Sequence, residues 1–169
     1  MSKTQLKKEL QTLDKEGLIQ VIMDLYSARK EARDYLEFFI NPDINARMEN
    51  AKVAINKELS RGKRESRARI SHIRKVIKDM TSLQADAEYV AELMVYTIEA
   101  AYRTSKGTRY RSTLINGLER LMNDTVLYLD RHELLQKYLP RLEEASGNLS
   151  RWSSMKSFLA NAIERMPTM

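Results

Sequence analysis

With 169 residues, 43% apolar and 31% charged, the chain is long enough to bury a core and too apolar to stay disordered. It has no cysteine, which excludes disulfides, zinc–thiolate sites, iron–sulfur ligation and cysteine nucleophiles. Its formal net charge of +6 is uneven, because residues 57–78 hold nine cations against Glu58 and Glu65 while the other 147 residues sum to −1.

Few glycines and prolines, and a helical apolar period in nearly every segment, predict an all-α protein. Ser2 with Gln5 fits a capping box, opening a short first helix to about Gln11. Asp14 reads as the N-cap of a second helix, whose apolar face is Leu18, Ile22, Leu25, Ala32, Leu36 and Phe39. Asn41-Pro42 stops it, since proline has no N–H to donate and restricts the residue before it.

From Asp43 a third helix places Ile44, Met48, Ala51, Ile55 and Leu59 within about 80° of the helical wheel. Ile70, Ile73, Ile77 and Met80 share that sector if the helix runs on unbroken, so residues 43–80 form either one long helix or two. Residues 60–69 carry no large apolar side chain to hold a helix on a core. A basic connection around Ser60–Glu65, hinged near Gly62, is therefore expected, with a fourth helix from about Ser66 to Met80.

Asp86 caps a fifth helix with Val90, Leu93, Met94, Thr97 and Ala101 inward, ending at Thr104–Gly107. A sixth, from about Thr108 to Leu129, buries Leu114, Leu118, Leu121, Thr125 and Leu129. The seventh, Glu133 to Ala145, is kinked or split by Pro140, with Gly147 as a C′ glycine. The last runs from about Leu149 to Arg165 and turns Trp152, Met155, Leu159, Ala162 and Met166 to one side. About eight helices with short loops make a single all-helical domain over residues 1–169, either a bundle or an irregular stack.

The combination of Lys7-Lys8-Glu9-Leu10, Leu18-Ile19, Asp24-Leu25-Tyr26 and Asn41-Pro42 with Ala68-Arg69-Ile70-Ser71, Arg74-Lys75, Ile77, Ala91-Glu92-Leu93-Met94 and Tyr96 resembles a family of small bacterial proteins catalogued as a domain of unknown function. The chain departs from that family's aromatic and acidic C-terminal pattern at Arg151-Trp152-Ser153-Ser154-Met155. The resemblance implies one all-helical domain and brings no activity with it.

Catalytic and metal signals are weak. Neither His72 nor His132 stands in a Glu-x-x-His pair or a His-Glu-x-x-His motif, so no metal is expected. The five glycines are scattered and make no phosphate loop, so no cofactor is expected. Asp86, Glu88, Glu92 and Glu99 gather carboxylates on the fifth helix, where a solvated or ion-paired surface explains them better than acid–base work. An enzyme site around Glu92, Tyr96 and His72 is the least favoured reading. The N-terminus has no apolar h-region and no run reaches about 18 apolar residues, so a cytoplasmic protein without membrane contact is expected.

The basic segment remains. Its best reading is a non-enzymatic helical adaptor whose contact surface around residues 57–78 uses Arg61, Lys63, Arg64, Arg67, Arg74, Lys75 and Lys78, with another protein or a second copy as partner. The alternative is a nucleic-acid-binding accessory protein using the same cations to displace counterions, although no aromatic residue is interleaved for base stacking.

Overall fold

The structure is a computed structural model that describes residues 1–147, Met155 and residues 157–166. Among these, nine helices and no strand occur, and the chain is all-α. No helix of the described residues is long and apolar enough to cross a membrane. The chain divides into two compact units, Met1–Asp43 and Ile44–Met169.

The first unit holds α1 (Lys3–Thr12), α2 (Lys15–Ala28) and α3 (Lys30–Ile40). Both expected caps form: the Ser2 hydroxyl accepts from the Gln5 amide at 3.2 Å and the Asp14 carboxylate from the Gly17 amide at 2.8 Å. The single long second helix is corrected. It breaks at Arg29, which is extended at φ −134° and ψ 121°. Across the break the Tyr26 hydroxyl donates to Glu37 at 2.9 Å, and the Arg33 guanidinium lies 5.2 Å from the Tyr26 ring centroid. These contacts fold α3 back along α2. No residue of these three helices is buried.

The second unit holds α4 (Ile44–Leu59), α5 (Ile70–Ser82), α6 (Ala87–Ser105), α7 (Ser112–Arg131), α8 (Leu135–Gly147) and α9 (Phe158–Glu164). Residues 43–80 form two helices, and α5 starts at Ile70, four residues after the expected Ser66. Trp152 and Leu149, expected on the last helix, lie outside the described residues. Helix α6 is the centre of the unit, packed by α4, α5, α7 and α8. That is why eleven of its nineteen residues are buried and why its core extends past the expected stripe to Ala91, Val95, Ile98 and Ala100.

The buried hydroxyls are satisfied locally or across helices. Thr97 donates to the Leu93 carbonyl and Thr125 to that of Leu121, each at 2.7 Å, and Tyr110 reaches the Ala101 carbonyl at 2.7 Å. Burial pushes the Tyr110 phenol well above its ordinary range.

Gly117 lets α7 and α5 touch. A Cβ there would lie 2.9 Å from Ile70 Cγ1 and 3.0 Å from its Cβ and Cγ2. A β-branched neighbour cannot turn both branches away. Gly117→Val is therefore expected to cost about 2 kcal/mol through overpacking. A urea midpoint equal to that of the native protein would mean α5 shifts to make room.

Candidate functional site

The ten residues between α4 and α5 are an ordered connection. Gly62 sits at φ +95°, a left-handed conformation that side chains disfavour, and a Cβ on it would meet the Glu65 carbonyl oxygen at 2.1 Å. The turn closes when the Arg67 amide donates to the Arg61 carbonyl at 2.7 Å. Glu65 then pairs in parallel with Arg109, in the loop between α6 and α7. The Ser66 amide donates to the Arg109 carbonyl at 2.8 Å, and the Arg109 amide to the Arg64 carbonyl at 3.1 Å.

A second fastening lies at Glu58. Its carboxylate accepts from the Arg61 guanidinium at 3.0 Å and from the Arg69 backbone amide at 2.8 Å, with Arg69 Nε at 3.5 Å and His72 Nδ1 at 3.6 Å. Burial alone pushes this carboxyl up. The Arg69 amide and the Arg61 guanidinium outweigh burial and hold it below the usual carboxylate range.

These fastenings sort the seven expected contact residues. Lys63, Arg64 and Arg67 lie exposed on the connection, and none of the three is in an ion pair with a described residue. Two of the expected seven are drawn into the protein's own ion pairs: Arg61 with Glu58, and Arg74 with Asp124 of α7 at 2.7 Å. Lys75 turns instead into a cleft of about 570 Å³ between α4 and α5, where Lys57, Arg69 and His72 face Glu58 and Asp79. Lys78 is exposed on α5. The cations thus form a cluster on the connection with satellites on two sides of α5.

Arg109 was missed by sequence reasoning. The bridge brings its exposed residue beside the connection, while Arg111, at 2.7 Å from Glu65, braces the same pairing. The available signal was Lys106-Gly107-Thr108-Arg109-Tyr110-Arg111, three cations in six residues at a loop.

His72 lies in one neighbourhood, whereas Glu92 and Tyr96 stand one turn apart on α6 and share Lys52. His72 Nδ1 lies 2.9 Å from an Arg69 Nη, beside Glu58. The Tyr96 hydroxyl accepts from Asn56 at 2.6 Å, its ring flanked by Lys52 and Arg103. Glu92 belongs to a clasp in which Arg141 of α8 donates to Glu92 at 2.6 and 3.1 Å and to Glu99 at 2.8 and 2.9 Å. The Arg141 guanidinium, opposed by burial, holds the Glu92 carboxyl below its usual range, and Glu99 and Glu92 in turn raise Arg141. Next to this clasp Lys137 pairs with Glu88. The carboxylates of the fifth expected helix therefore fasten α8 to α6.

No curated protein and no solved structure matches the chain. A family model described as a family of unknown function, DUF6155, matches residues 1–165, nearly the whole sequence, and the chain belongs to that family.

Proposed function

We propose that the protein is a non-enzymatic helical adaptor that binds an acidic segment of another protein through the basic surface around residues 57–78. One observation carries this reading. Lys63, Arg64 and Arg67 stand exposed, with no ion pair to a described residue, on a connection whose backbone is fastened at Gly62, Glu58 and Arg109. Charges outside ion pairs on a fastened backbone suit recognition of opposite charge. A protein partner is favoured over nucleic acid because residues 57–78 contain no aromatic side chain. Tyr110, on the adjoining loop, is buried and donates to Ala101, so it offers no face for stacking. The reading includes a cytoplasmic location, in keeping with a chain free of cysteine.

Fluorescence anisotropy with a poly-glutamate peptide and with single- and double-stranded oligonucleotides tests it. The native protein is expected to bind the peptide. The Lys63→Glu/Arg64→Glu/Arg67→Glu variant is expected to bind it at least about tenfold more weakly. Retained peptide binding by the variant would remove these cations from the contact. Oligonucleotide binding that collapses between about 50 and 200 mM salt would establish the nucleic-acid reading instead.

A further inference from the structure

The first unit has more apolar surface than its three helices can cover. On α2 the side chains of Val21, Leu25, Ile22, Ile19 and Met23 span an arc of about 200° of the wheel, roughly twice the stripe one neighbouring helix covers. Helix α3 packs along part of this arc, yet these five side chains remain 36–51% exposed. Phe39 and Ile40 at the end of α3 are 73% and 80% exposed, and Leu6 and Leu13 are 42% and 41%.

At about 150 Å² for a large side chain, these nine residues leave roughly 700 Å² of apolar surface open on a 43-residue unit. That is a large amount of apolar surface for so small a unit, shared among its three helices. The five α2 side chains alone supply roughly 350 Å², or roughly 700 Å² with a second copy, so Leu6, Leu13, Phe39 and Ile40 must join them to reach the range of a specific, stable interface.

Charge selects the same occupant. The unit holds seven cations and eight anions, so it attracts neither a strongly acidic nor a strongly basic partner. Within it, α1 carries Lys3, Lys7 and Lys8 against Glu9, whereas α3 carries Glu31, Asp34 and Glu37 against Lys30 and Arg33. Two copies related by a two-fold axis across α2 can set the basic helix of one against the acidic helix of the other.

We propose that residues 1–43 are a self-association element, in which the apolar arc of α2 packs on the same arc of a second copy to make a two-fold dimer. This stands apart from the basic contact surface, which lies in the other unit.

Sedimentation velocity of the full chain tests the proposal. The native protein is expected to sediment as a dimer at low micromolar concentration, and Ile19→Glu/Ile22→Glu/Met23→Glu as a monomer with unchanged far-ultraviolet helicity. A native protein that stays monomeric up to about 100 µM would overturn it, whether another part of the chain or another protein covers the arc. A dimer that survives the triple substitution would overturn it as well.

Because the chain lacks cysteine, a second readout does not depend on the folding of that variant. Under mild oxidation Ile22→Cys, at the middle of the arc, is expected to form a disulfide-linked dimer. Gln20→Cys, on the polar side of α2, is expected not to. Equal cross-linking of the two variants, or none in either, would exclude the proposed face.

Discussion

Gly62→Ala is expected to destabilise the protein by about 3 kcal/mol, the sum of a left-handed backbone penalty of about 1–2 kcal/mol and a lost backbone contact. The added methyl would sit 2.1 Å from the Glu65 carbonyl oxygen, and that atom belongs to backbone, so no rotamer change clears it. Moving Glu65 breaks the pairing in which the Ser66 amide donates to Arg109 and the Arg109 amide to Arg64. Urea denaturation reads the stability loss, and faster hydrogen exchange at the Ser66, Arg67 and Arg109 amides reads its location. The same variant is expected to bind the acidic peptide more weakly although every cation is still present. Unchanged stability and exchange would show that the connection does not need this turn.

Arg141→Met is the second large effect, and its signature is a reversal of pH dependence. Arg141 holds Glu92 and Glu99 together, with side chains 36%, 30% and 22% exposed. Removing the guanidinium leaves two half-buried carboxylates without their partner. A fully buried pair broken in this way costs about 3–5 kcal/mol; partial solvation brings the expected loss near neutral pH to about 2 kcal/mol.

The sign follows from which form the fold prefers. In the native protein the Glu92 carboxyl is held below its usual range, so its charged form is the stabilised one. That contribution is complete above the usual carboxylate range and is lost as pH falls through the lowered folded value. Without Arg141 burial penalises the charged form of Glu92, so the variant is expected to gain stability as pH falls from about 7 to 5 while the native protein does not. Parallel denaturation midpoints across that interval would mean the clasp contributes nothing.

Features written within a few residues of one another were legible in the chain. The caps at Ser2, Asp14 and Asp86 each bond an amide two or three residues away. The stop at Asn41-Pro42 and the turn at Gly62 follow from the backbone chemistry of the residues themselves. The inward stripes of α4 to α7 were equally plain, since period alone defines them.

What escaped depends on partners far along the chain. Ala28-Arg29-Lys30 is a run of good helix formers, and the chain breaks there only because α3 gains contacts by folding back on α2. Helices α5 and α7 both begin about four residues later than period suggested, at Ile70 and Ser112, and for one cause. Residues 64–66 and Arg109 pair with each other, so neither segment is free to be helical.

The candidate site divides along the same line. The exposure of Lys63, Arg64 and Arg67 was readable because no apolar side chain accompanies them. The capture of Arg74 by Asp124 required knowing that α5 crosses α7, and the arrival of Arg109 required the bridge.

Under the binding role proposed above, that bridge also bears on how tightly an acidic segment would be held. Two loops some forty residues apart in sequence hold each other's main chain in place before anything arrives, so ordering them is already part of folding. Association would then cost this connection side-chain freedom but no backbone freedom, and the backbone entropy a slack basic tail would lose on capture is not deducted from affinity. A fastened backbone of this kind would also discriminate by spacing: an acidic sequence must match the intervals set by the Cα positions of Lys63, Arg64 and Arg67, whereas a mobile tail would accept almost any.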